Sequence, residues 1–179
     1  MKEISSDSYL KHASKRFQTT IAFMSDLDLK SANILNLGPS NPLSDLLRKE
    51  GYNITDTAVN QDLDLEYEIV KDSKFDAVVG FEILEHMVSP FPLLKSIACS
   101  KLVISVPLLL WFASAYWNEN DPYDRHYHEF EPRQLKMLLN KAGWNIVKEE
   151  KHISAVNKIG IRPLLRQFTP RHYFVYCER

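Results

Sequence analysis

Hydrophobic positions along the chain change period several times, and each change marks an element. From 5 to 29, Tyr9, Ala13, Phe17, Ile21 and Met24 recur at helical spacing, which predicts an amphipathic N-terminal helix. Ile34, Leu35 and Leu37 then form a short apolar run, too brief for a helix and suited to a buried strand. The next helix is predicted to start at Pro42, whose fixed φ suits the first helical position, with Asn41 as N-cap. Leu43, Leu46 and Leu47 give it a buried face, and Gly51 stops it.

The alternation continues. Residues 52–59 carry the branched side chains of a second strand, and 74–82, after the acidic run QDLDLEYE, form a third. A helix interrupted near Pro90 and Pro92 follows, directing Leu93, Leu94, Ile97 and Ala98 to a core. Residues 101–107 form another strand, and a long aromatic connection leads to a helix over 132–142 with Leu135, Leu138 and Leu139 on one face, stopped by Gly143. Two late strands, 144–153 and 171–178, close the chain, with room for a short helix at 163–167 between them. Strands alternating with helices predict an α/β, mostly parallel sheet covered on both faces. The last two strands break the alternation, so the final one is expected to run antiparallel.

Composition narrows the function classes. The 179 residues suffice for one core and favour a single domain, and 22 Lys plus Arg against 23 Asp plus Glu leave a net charge of -1. Such a chain has no global field to attract nucleic acid or an anionic membrane, so both are disfavoured as partners. Cys99 and Cys177 lie far apart without metal-ligand spacing and are read as reduced thiols. No metal site is read from the sequence. Without an apolar leader or an apolar run long enough to span a membrane, a cytoplasmic location is expected.

Three segments carry candidate chemistry: ILNLGPSNP (34–42), FDAVVGFEILEHM (75–87) and RHYHEFEPRQLKMLLNKAGW (125–144). In this order they resemble the class I S-adenosylmethionine (SAM) dependent methyltransferases, small-molecule type, over nearly the whole chain from about residue 32. The resemblance implies a three-layer Rossmann-like sandwich with a seven-stranded sheet, the last strand antiparallel, and SAM as cofactor across the carboxyl ends of the first strands. It divides the single domain into an N-terminal helical cover (1–30), a SAM-binding half (32–107) and a substrate-side half (108–179).

By the same resemblance, the cofactor is held by Asn36, Gly38, Pro39, Ser40, Phe81 and Glu82, with Asp56 or Asp62 on the ribose. Two departures stand out. Asn36 occupies a position where an acid is usual, while Ser40 and Pro42 replace two glycines, so the loop is degenerate. No G-x-G-x-x-G is present, which disfavours NAD. A count from Gly51 places Ala58 where the ribose acid is expected; Asp56 lies two residues earlier on the same strand face, and Asp62 or Asp64 are the alternatives.

On the acceptor side, His86 and His126 are the candidate catalytic residues because imidazole titrates nearest neutrality, and His128 is read as a surface histidine. Trp111, Phe112, Tyr116 and Trp117 either line an acceptor pocket or pack in the core. Asp121-Pro122-Tyr123 resembles a motif of amino-methylating nucleic-acid enzymes but follows the wrong strand. Arg162, Arg166, Arg171 and His172 form a local basic cluster. The expected function is methyl transfer to a small-molecule acceptor. A non-catalytic binding or scaffold protein of the same fold is the alternative, and RNA methylation ranks last.

Overall fold

The structure, a computed structural model, describes residues 6–121, 124–154 and 159–179, with side chains of the first helix described from residue 15. Pro122 and Tyr123, and the predicted contacts of Tyr9 and Ala13, lie outside the described residues.

Helix α1 (Ser6–Ser25) leads into strand β1 (Asn33–Asn36), helix α2 (Pro42–Lys49) and strand β2 (Asn53–Asp56). Strand β3 (Ala77–Phe81), helix α3 (Pro90–Ser96), strand β4 (Lys101–Pro107), helix α4 (Pro132–Lys141), strand β5 (Asn145–Ile153), helix α5 (Ile161–Arg166) and strand β6 (Pro170–Glu178) complete the order. They form one sheet in the order β2-β1-β3-β4-β6-β5, with β1 to β4 parallel and β6 antiparallel to both β4 and β5.

The antiparallel final strand agrees with the expectation, whereas the sheet has six strands among the described residues rather than seven. The difference lies between β2 and β3. Residues 57–76 run as loops and a single 3-10 turn (Glu68–Lys71), too little chain for another parallel strand with a crossover on each side.

Alternation along the strands builds a core on each face. Ile34, Val79, Val103 and Phe174 pack with Phe23 and Met24 of α1 and Leu43 and Leu47 of α2. On the other face, Leu35, Val78, Leu102, Ile104 and Val175 pack with Leu93 and Leu94 of α3, Leu135 and Leu139 of α4, and Trp144, whose indole N–H donates to the Leu94 carbonyl at 3.0 Å. Leu46 and Leu138, expected in these cores, are only half-buried, and Ala98 is exposed just beyond the end of α3.

The α2 start follows the sequence rule closely. The Asn41 side-chain oxygen accepts from the Leu43 and Ser44 amides at 2.9 and 3.1 Å, and Ser44 Oγ accepts from the Asn41 amide at 3.0 Å. Pro42 takes the first helical position, where no amide is needed. The cap therefore fixes where the β1-to-α2 loop must end.

Candidate active site

The β1-to-α2 loop rises from the carboxyl edge of the parallel strands. Leu37 still bonds to β3, its amide donating to the Val79 carbonyl at 2.8 Å, and the next amide, of Gly38, donates to the Thr57 hydroxyl at 2.8 Å. Gly38 has φ +120°, and a Cβ there would lie 3.1 Å from the Ile83 side chain. Only glycine takes this conformation without strain. Pro39 and Ser40 follow, exposed, before the Asn41 cap. The loop is thus held by one glycine, Thr57 and a helix cap.

Asn36 and Asp56 end neighbouring strands in register and bind each other, the Asn36 amide donating to Asp56 Oδ1 at 2.8 Å. The other Asp56 oxygen pairs with Arg48 of α2 and accepts from Ser44 Oγ at 3.4 Å. Arg48, whose guanidinium pKa is raised by that bond to Asp56, was not among the sequence candidates. Asp64 accepts the amides of Val88 and Ser89, both at 2.8 Å, and so fixes the approach to α3. Asp62 is exposed; among the described residues its carboxylate accepts the Asp64 amide at 3.0 Å, and its carbonyl accepts the Leu65 and Glu66 amides at 3.0 and 2.7 Å, all within its own turn.

A second polar group gathers beyond β3 and β4. Phe81 ends β3 half-buried, and Glu82 follows with φ +57°, unusual for a residue with a side chain. Its amide donates to the Ser105 carbonyl at 2.9 Å; Ser105 Oγ donates to its carboxylate at 3.2 Å, and His172 and Arg16 approach within 3.4 and 3.8 Å. Burial opposes ionisation of Glu82, but these partners, His172 foremost, hold its carboxyl below the ordinary carboxylate value.

Glu85 lies in the 3-10 turn Leu84–His86 and is 1% exposed, with neither carboxylate oxygen hydrogen-bonded among the described residues. Burial, then the Glu82 charge, pushes its pKa well above the ordinary value. Its carbonyl accepts the Tyr127 and His128 amides at 2.8 and 3.2 Å, which draws 125–130 against the turn.

This docking brings the two candidate histidines together, with ring centroids 4.9 Å apart and edge to face. His86 Nδ1 lies 3.1 Å from the Arg125 carbonyl, and burial followed by the nearby His126 lowers its pKa, keeping the ring neutral at pH 7. His126 Nδ1 faces Glu129 Oε1 at 3.5 Å. Glu129, 2% exposed in its side chain, also accepts from Arg171 at 3.0 Å, and Arg171 donates to the Leu108 carbonyl at 2.6 Å. Against the cost of burial, His126 and Arg171 hold the Glu129 carboxyl down at about 2.

Arg171 and His172 therefore point inward, while Arg162 donates to the Phe112 carbonyl at 3.4 Å, so the sequence's basic cluster is not one surface patch. His128 contacts the Val88 carbonyl at 3.1 Å rather than joining the histidine pair. Trp111, Tyr116 and Trp117 are exposed by 76%, 45% and 49%, so none of them is a core residue. Trp117 stacks under Arg125, with the guanidinium carbon 4.7 Å from the ring centre.

Sequence reasoning missed Thr57, Arg48, Glu85, Glu129 and the inward roles of Arg171 and His172. Glu85 and Glu129 were within quoted motifs; the others had no local signal, since each acts on a partner elsewhere in the chain.

The fold that carries this site is shared with solved structures of low identity. A SAM dependent methyltransferase from Mesorhizobium loti aligns over 89% of this chain and 96% of its own at 16% identity and TM-score 0.57. One from Archaeoglobus fulgidus aligns over 96% and 94% at 18% identity and TM-score 0.58. Magnesium protoporphyrin IX methyltransferase from Synechocystis PCC 6803, with bound S-adenosylhomocysteine, aligns over 100% and 88% at 12% identity and TM-score 0.58. No curated protein matches the chain. These likenesses establish the fold, and the sequence itself goes further: the model of a methyltransferase domain matches residues 9–149, most of the chain from α1 into β5, so this protein belongs to that methyltransferase family.

Proposed function

We propose that the protein transfers the SAM methyl group to a small-molecule acceptor. The observation that carries this reading is Gly38: its positive φ, its amide anchored on Thr57 and its closeness to Ile83 keep a tight, side-chain-free turn at the carboxyl edge although two expected glycines are absent. In this reading SAM lies over Gly38, Pro39 and Ser40, between the ends of β1 and β3, with its sulfonium directed toward Glu82, His86 and His126. The in-line displacement leaves S-adenosylhomocysteine, and positioning supplies most of the rate. The neutral imidazole of His86 is suited to take a proton from the acceptor.

The same reading assigns residues 32–107 to the cofactor and 108–179 to the acceptor, with 1–30 as a cover; Arg16 of α1 reaching Glu82 supports that division. The exposed aromatic side chains of Trp111 and Trp117 suit a planar or apolar acceptor better than a phosphate chain. Among the described residues no helix is long and apolar enough to cross a membrane.

For the ribose, Asp62 is the stronger candidate because Asp56 is already engaged by Asn36, Ser44 and Arg48. Asp62→Ala is expected to weaken S-adenosylhomocysteine binding about tenfold with an unchanged melting temperature. Asp56→Ala is expected to destabilise the fold by about 1–3 kcal/mol through the orphaned Arg48 and Asn36. Calorimetric titration with thermal melts of both variants tests the assignment. The reverse pattern would return the ribose to Asp56.

A second reading has its own observation: Asn36 stands where the fold commonly carries an acid, and its amide is turned to Asp56. This favours a binding protein without turnover. Titration with S-adenosylhomocysteine, followed by an assay for its production from SAM across a panel of acceptors, separates the two. Binding with product formation supports the enzyme; binding with no product from any acceptor, or no binding by folded protein, overturns it in favour of the non-catalytic binding or scaffold reading.

A further inference from the structure

We propose that Glu85, His86 and His126 form a binding site for a first-row divalent transition-metal ion. One candidate ligand atom from each lies within 4.8 Å of the others, close enough for modest side-chain movement to enclose one ion. Glu85 supplies the decisive observation. Its side chain is 1% exposed and neither oxygen has a hydrogen-bond partner among the described residues, an arrangement costly for any polar group and resolved by a cation.

The histidines are prepared in the manner of ligands. His86 Nδ1 lies against the Arg125 carbonyl at 3.1 Å, which places the proton on Nδ1 and leaves the Nε2 lone pair free, and Nε2 is the atom 3.9 Å from Glu85 Oε1. His126 Nδ1 lies 3.5 Å from Glu129 Oε1 without completing a hydrogen bond, and a proton held on that side would leave Nε2 as its donor atom. Glu129 is itself held by Arg171, so a third layer fixes the second. A plain buried ion pair would need neither oriented ring.

Two imidazoles and one carboxylate select zinc, iron, manganese or cobalt over magnesium and calcium, which prefer all-oxygen sites. Three protein ligands leave at least one position open. If the methyltransferase reading holds, the ion takes the His86 Nε2 lone pair in place of the base role, and the open position suits an oxygen of the acceptor, whose proton the ion makes easier to lose.

Tag-free protein stripped by a chelator is titrated with cobalt(II), followed by its visible absorption, and with zinc(II) by calorimetry. One equivalent is expected to bind with micromolar or tighter affinity. Glu85→Gln, nearly isosteric, and His126→Gln are each expected to weaken binding by at least about tenfold while retaining the circular dichroism of the wild type. His86→Asn serves where either variant fails to fold. No absorption and no heat with wild-type protein overturns the site, as does equal affinity in the folded variants, which would place the ion on other histidines. S-adenosylhomocysteine titrated into the same samples keeps the two readings apart: cofactor binding without metal binding removes the metal site alone, and metal binding without cofactor binding supports it while removing the methyltransferase reading.

Discussion

Gly38→Val is expected to reduce affinity for S-adenosylhomocysteine by at least about a hundredfold, close to 3 kcal/mol, with the fold retained. Two independent costs produce the effect. Gly38 sits at φ +120°, where a β-branched side chain is strongly disfavoured, so the loop must move to accept valine. If it does not move, the new Cβ meets Ile83 at 3.1 Å and the remaining methyls project into the space over the loop. Either response breaks the bond from the Gly38 amide to Thr57 or fills the surface where the cofactor is proposed to lie. Calorimetry on the variant, with circular dichroism to show the fold, decides the matter. Near wild-type affinity would move the cofactor site away from this loop.

The second large effect concerns stability in acid. Glu129 has a folded pKa of about 2 against an ordinary value of 4.5, so the folded state binds fewer protons than the unfolded chain. Its stabilisation is fully present above the ordinary carboxylate pKa and is lost as pH falls from about 4.5 to about 2. The size is on the order of 3 kcal/mol, from a shift of more than two units at about 1.4 kcal/mol each. Glu85 works in the opposite sense: its raised pKa makes the protonated carboxyl the stabilising form, so this contribution weakens as pH rises. Urea unfolding of the wild type between pH 6 and 2 should therefore show an acid loss that Glu129→Gln largely lacks. Arg171→Met, which leaves Glu129 buried without its guanidinium, is expected to cost about 3–5 kcal/mol at neutral pH. Identical acid profiles for wild type and Glu129→Gln would show that the Glu129 cluster does not govern acid stability.

Both effects arise from residues that the fold holds rigidly at one edge of the sheet. That edge is where the parallel strands end and the antiparallel return of β6 places His172 opposite Pro107, with Arg171 beside it. The register of a single strand thus delivers partners to Glu82 and Glu129 together.

What the amino-acid sequence determined by itself was short-range. Periodicity marked the helices and strands because each depends on neighbours a few residues away. Asn41 and Pro42 set the start of α2 because capping is a contact across three residues. Gly38 marked the turn because positive φ is a property of one residue. The E-x-x-E-H pattern after β3 named the acidic turn, and the break in alternation before β6 gave that strand its direction. The tertiary structure decided the rest. Whether Asp56 faces a ligand or Arg48 depends on how α2 packs on β2, and the Glu85 carboxylate is buried without a hydrogen-bond partner among the described residues, at a turn against which 125–130 docks through backbone bonds. His86 and His126 become a pair by the same closure. Electrostatic and metal-ligand interactions act through space over a few ångströms, whatever the separation along the chain. Their partners are therefore chosen by packing and register, which no local pattern records.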